Sequence, residues 1–176
     1  MKHYKSAESV TKGHPDKLCD YIADSILDGY LKGDESSRVA VEVMATKGLI
    51  LVAGEVTSKA ALDVEDIVRE VLFDVGYEPQ NFEIEVRLHA QSPDIAQGVD
   101  RAENLLGAGD QGIVYGYATD ETPEYLPLPQ ILARSLTMRL EEVREKNVIP
   151  ELMPDGKCLV TVEYENGEAT RIHSVV

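Results

Sequence analysis

"RVAVEVMATKGLILVAGEVT", residues 38–57, decides how the chain is built. Apolar and polar side chains alternate from Arg38 to Thr46, the period of a strand with one buried face. The pattern resumes from Leu49 to Thr57 after Lys47-Gly48, a two-residue connection that predicts a β-hairpin. A lone hairpin is marginal in water, so its neighbours must cover it. Upstream, residues 3–10 read as a short strand. A helix follows from Pro15 to about Leu31, because proline is tolerated in a first turn. Leu18, Ile22, Ser25, Ile26 and Gly29 share one face of that helix. Downstream, residues 59–75 predict a second helix with Leu62, Ile67, Val71 and Leu72 as its apolar positions, and Phe82–His89 a strand.

The same order of elements begins again further on. Gly112–Thr119 (GIVYGYAT) reads as a strand and residues 130–146 as a helix with Ile131, Leu132, Leu136, Leu140 and Val143 inward. Residues 159–163 and 169–176 then form a hairpin about Asn166-Gly167. The expected fold class is α+β: repeated units of mainly antiparallel sheet covered by helices on one face. The expected division is a first domain over 1–106, including a lid loop at 91–106, and a partial second domain over 107–176. That second unit ends on Ile172-His173-Ser174-Val175-Val176 without its last helix and strand, so it reads as truncated.

The charge limits the partners. Thirty-two acids against 17 bases leave a net charge of −15, a field that repels nucleic acid and anionic membranes. No stretch approaches the roughly 20 apolar residues of a membrane span. Met1-Lys2-His3-Tyr4-Lys5 leads into no apolar segment, so no signal peptide is expected, and the chain reads as cytoplasmic. Cys19 and Cys158 lack any CxxC spacing, and a disulfide is not expected.

Several stretches carry chemistry. "GHPDK" (13–17) sets His14, Asp16 and Lys17 where a helix begins, and helix N-termini attract anions. It reads either as an N-terminal cap or as a phosphate site in which Asp16 holds a hard cation such as Mg²⁺. Asp20, Asp24 and Asp28 continue the carboxylate row and read as a solvated stripe. Glu42 and Glu55 lie on the paired strands of the first hairpin. They read either as its solvent face or as ligands for a cation or a substrate ammonium. "QSPDIAQGVDR" (91–101) has few apolar anchors, "GAGDQG" (107–112) sets Asp110 in a glycine-rich turn, and "PDGK" (154–157) reads as a surface turn. His3, His89 and His173 show no metal-ligand spacing.

"ESVTKGHPDKLCDYIADSILD" (8–28), "GEVT" (54–57), "QSPDIAQGVDR" and "GAGDQGIVYGYATDET" (107–122) resemble the methionine adenosyltransferases, or S-adenosylmethionine synthetases. The resemblance runs from about Ser6 to Val176. It implies attack of the L-methionine sulfur on C5′ of ATP, loss of triphosphate, and hydrolysis of that triphosphate, assisted by two Mg²⁺ ions and K⁺. It further implies that His14 is catalytic and contacts ATP with Lys17, Asp155, Gly156 and Lys157. Asp16 would bind Mg²⁺ and Glu42 K⁺, with Glu55, Gln91 and Asp110 at methionine. The "PDGK" turn has Gly156 where many members have Ala, which leaves that position a backbone role. Members have three similar domains, about twice this length, and build sites across a homodimer or a dimer of dimers. By the resemblance the chain is the N-terminal half of the enzyme, with little activity alone. The alternative is a half-length paralogue that acts as a binding or regulatory partner. A generic nucleotide-binding module, a third reading, leaves Glu55 and Gln91 unexplained.

Overall fold

A computed structural model describes residues 1–90 and 111–176. The elements are β1 (Lys2–Val10), α1 (Pro15–Gly33), β2 (Arg38–Thr46), β3 (Leu49–Thr57), α2 (Val64–Val75), a 3-10 turn at Pro79–Asn81, β4 (Glu83–His89), α3 (Leu128–Glu145), β5 (Lys157–Glu165) and β6 (Glu168–Val175). The fold is α+β, with two three-stranded sheets, β2-β3-β4 and β1-β5-β6. Among the described residues only the β3–β4 pair is parallel.

The chain forms two compact units. One joins Met1–Leu18 and Asp74–Tyr77 to Gly116–Val176, and the other holds Cys19–Phe73 and Glu78–Tyr115. This grouping does not follow chain order, because β1 pairs along its whole length with β5, from Lys2 opposite Glu165 to Val10 opposite Lys157. The lid loop and the expected boundary at 106 lie outside the described residues.

In the β2-β3-β4 unit the predicted hairpin forms over its predicted residues, with Gly48 at φ 75° in the turn. Ile50 and Val52 of β3 are fully buried, while Glu42 and Met44 of β2 face solvent. Ile22 and Ile26 of α1 and Val68, Val71 and Leu72 of α2 are buried in the same unit. Gly29 lies against Leu62, where a Cβ would come within 3.0 Å. α2 starts later than its apolar pattern predicts. The Asp63 carboxylate accepts from the Asp66 N–H (3.1 Å), an N-terminal cap that fixes the start of the helix.

In the β1-β5-β6 unit, α3 packs on β1 and β5. Its core is Ala133, Cys158, Val160, Val162 and Tyr164, with Leu128 and Leu132 against them. Asn166 (φ 55°) and Gly167 (φ 93°) make the predicted tight turn between β5 and β6. Two expectations fail here. Residues 112–119 form no strand and are almost wholly exposed, and among the described residues no strand pairs with them. The third strand of this sheet is β1. Leu136 and Leu140 of α3 are over a third exposed, whereas Thr137 is buried and its hydroxyl meets that of Ser9 on β1 at 2.9 Å. The helix is therefore rotated from the face that its leucines define.

Candidate functional site

The β1–β5 register brings two distant loops to one end of a sheet. Val10 ends β1 opposite Lys157, which begins β5, so "TKGHPDK" leaves the sheet beside "PDGK". Thr11, which is buried, fastens them: its N–H donates to the Gly156 carbonyl (2.9 Å) and its hydroxyl to the Pro154 carbonyl (2.6 Å). Gly13 is packed so closely on Pro154 that a Cβ would stand 2.4 Å from the proline Cβ. No other residue fits without moving a turn.

His14, Asp16, Lys17, Asp155, Gly156 and Lys157 all lie in this one unit. His14 Nδ1 accepts from the Asp16 N–H (3.2 Å), and the His14 carbonyl accepts from the Leu18 N–H (2.9 Å). The imidazole is thus the cap of α1. In its neutral form this leaves the proton on Nε2, available to an outside acceptor. Pro15 has no N–H, and that of Asp16 is taken by the cap. The donors left for an anion are mainly side chains. Lys17 Nζ donates to the Val10 carbonyl (2.8 Å), which holds its charge beside the end of β1. Asp16 is 89% exposed, with its Oδ2 3.8 Å from His14 Nδ1.

Lys157 pairs with Glu8 of β1 at 2.8 Å. That hydrogen bond holds the ammonium above its ordinary range, and the charges of Glu8 and Asp16 add to it. Lys157 stays a cation at any physiological pH. Sequence reasoning missed Glu8 and Thr11, whose roles exist only through the β1–β5 pairing. A small cavity of about 60 Å³ lies by Thr11, Arg144, Pro154, Asp155 and Gly156, well below the size of a ligand pocket.

Glu42 and Glu55 stand on the other unit. Glu42 is opposite Ala53 and Glu55 opposite Ala40, so the two carboxylates occupy diagonal positions on the solvent face of the hairpin. Glu42 is exposed and Glu55 half-buried. Beside Glu55, Gly54 (φ 147°) lets the strands close, since a Cβ would fall 2.1 Å from the Ala40 carbonyl oxygen. Gln91 and Asp110 lie outside the described residues. A cavity in this unit, of about 610 Å³, is lined by Tyr30, Leu62, Val64, Val86 and Leu88 among others and holds none of the predicted site residues.

Against known families, residues 2–99 match the S-adenosylmethionine synthetase N-terminal domain and residues 105–176 its central domain. The chain belongs to the S-adenosylmethionine synthetase family. It is 52% identical to S-adenosylmethionine synthase 1 of Frankia casuarinae over 97% of its own length and 47% of that protein's. It is 46% identical to the S-adenosylmethionine synthase of Pseudothermotoga lettingae, over all of this chain and 50% of that protein. The chain spans about half the length of these curated relatives.

No helix among the described residues is long and apolar enough to cross a membrane. Among the same residues, no group of three His, Cys, Asp or Glu side chains converges on a metal position. Neither Asp16 nor Glu42 sits in a protein cage for a cation.

Proposed function

We propose that this chain is the N-terminal half of a methionine adenosyltransferase, with ATP and L-methionine as substrates, and that one edge of it takes part in binding the ATP phosphates. The observation that carries the reading is the fastening of "GHPDK" to "PDGK" through Thr11, Gly13 and the β1–β5 register. One edge thereby presents an imidazole, two ammonium groups and exposed carboxylates. The methionine sulfur attacks C5′, and the C5′–O bond breaks with its electron pair going to the triphosphate. His14, with Nδ1 engaged in the cap, donates from Nε2 to a phosphate oxygen. Lys17 and Lys157 add fixed positive charge where negative charge grows. Asp155 and the Gly156 backbone line the same edge.

Asp16 fits Mg²⁺ held by one carboxylate together with phosphate oxygens and water, which is how this ion is commonly bound beside phosphates. When bound, Mg²⁺ neutralises charge on the departing triphosphate. A second Mg²⁺, and K⁺ at Glu42, need ligands beyond those that the described residues assemble. Glu55, Gln91 and Asp110 are the proposed methionine contacts, and 91–106 the proposed lid. The two family matches separate between residues 99 and 105, which supports the division into domains 1–106 and 107–176. A cytoplasmic enzyme that works as a homodimer or dimer of dimers accords with this reading.

Kinetics of the full-length protein that carries this chain test it. His14→Ala is expected to lower S-adenosylmethionine formation by about 100-fold or more, the usual loss for a group that stabilises transition-state charge. ATP affinity should change far less. Normal turnover in this variant would overturn the role of His14.

A further inference from the structure

Gly13, the residue before His14, is held from a third direction. Its carbonyl accepts a hydrogen bond from the Tyr77 hydroxyl at 2.7 Å, from a residue 64 positions along the chain. Tyr77 is itself tethered. Arg144 of α3, whose side chain is 17% exposed, donates from Nη2 to the Val75 carbonyl at 3.0 Å. Gly76, at φ 102°, lies under the same guanidinium, and a Cβ there would be 2.4 Å from Nη1. A continuous series of contacts therefore runs from α3 through Arg144, residues 75–77 and Gly13 to the cap of α1. It ends on the loop that presents the imidazole, not on the core. Burial pushes the Tyr77 phenol up, and the charge of Asp155 adds to this while Arg144 opposes it. The hydroxyl thus stays protonated, as a donor must.

We propose that Tyr77 is a positioning residue for phosphate binding, its hydroxyl clamping the Gly13 carbonyl so that His14 and the first turn of α1 stand at a fixed place beside the "PDGK" turn. The proposal rests on the reading of this edge as the ATP-phosphate site. Tyr77 need not touch the nucleotide. It sets where the groups that do so are held, and Arg144 sets where Tyr77 is held.

The test is Tyr77→Phe in the full 176-residue chain, with two readouts. Amide exchange at His14 and Asp16 should quicken about five-fold, the worth of one neutral hydrogen bond. Exchange in β5 should not change, whereas a general loss of structure would speed both. Affinity for inorganic triphosphate with Mg²⁺, measured by calorimetry, should fall by a similar factor. Arg144→Gln, which releases residues 75–77, should move both readouts the same way. Unchanged exchange at His14 and Asp16 in Tyr77→Phe would overturn the clamp. Faster exchange with unchanged triphosphate affinity would overturn its role in binding. If the unaltered chain and the full-length protein that carries it both fail to bind triphosphate, the phosphate reading itself fails, and faster local exchange would then mark the clamp as structural only.

Discussion

The "GHPDK" loop and the Glu42–Glu55 pair are both clusters of polar groups, yet the protein holds them in different ways. Around "GHPDK" the backbone is fastened by Thr11, Tyr77 and the close packing of Gly13 on Pro154, and Lys157 is pinned by Glu8. Glu42 and Glu55 stand on an open sheet face, and among the described residues neither carboxylate has a hydrogen-bond or ion-pair partner. Their position is set by strand register alone. A loop has no register, so its geometry must come from tethers. A strand inherits geometry from its neighbours. The first site is therefore vulnerable at its tethers and the second at its strand pairing.

Changes at two glycines sharpen this contrast. Gly54→Ala forces a Cβ to within 2.1 Å of a backbone oxygen at a φ that side chains rarely adopt. The expected loss is about 3 kcal/mol or more, from overpacking and backbone strain together. Denaturant unfolding measures it, and a near-neutral result would mean that the pairing beside Glu55 is looser than described. Gly13→Ala is expected to cost about 1–3 kcal/mol, since the Pro154 turn can shift where a paired strand cannot. If Gly13→Ala proved the costlier change, the contrast between tether and register would fail.

Acid stability separates the sheets. Glu163 on β5 is buried between Lys2 and Arg171 at 2.9 Å each. Its hydrogen bonds to these two cations lower its pKa to about 2 from an ordinary 4.5. A carboxylate depressed in the folded state contributes stability that is complete above its unfolded pKa. That contribution is lost as pH falls from about 4.5 through about 2. Glu163→Gln should be less stable at pH 7 and should flatten the loss of stability across that window. A parallel pH profile for the variant would contradict the assignment. The smallest expected effect is at the cap of α2, where Asp63→Ala should cost about 1 kcal/mol without altering either cluster.

Much of this organisation is visible in the sequence, and what escapes it has one cause. Both hairpins are legible because Lys47-Gly48 and Asn166-Gly167 impose local turns between alternating strands. α1 is legible because Leu18, Ile22 and Ile26 repeat with the helical period and Pro15 marks its start. The pairing of β1 with β5 is not legible. No local pattern links Val10 to Lys157, and the sequence of 112–119 suggests a competing strand where the described residues form none. The inward face of α3 is misread for a related reason: the Ser9–Thr137 contact buries a threonine where leucine periodicity places Leu136 and Leu140. In the site, His14, Asp16, Lys17 and Lys157 are recognisable by residue type. Thr11, Glu8 and Tyr77 are not, because their functions lie in what they touch across the fold.

The central claim is that the two fastened loops together receive phosphate. Titration of Mg²⁺–ATP into the ¹⁵N-labelled chain, followed by amide chemical shifts, tests it most directly. The account predicts saturable shifts at His14, Asp16, Lys17 and Asp155–Lys157, with Glu42 and its strand neighbours unmoved. Shifts confined to the Glu42–Glu55 face, or to one of the two loops without the other, would contradict it.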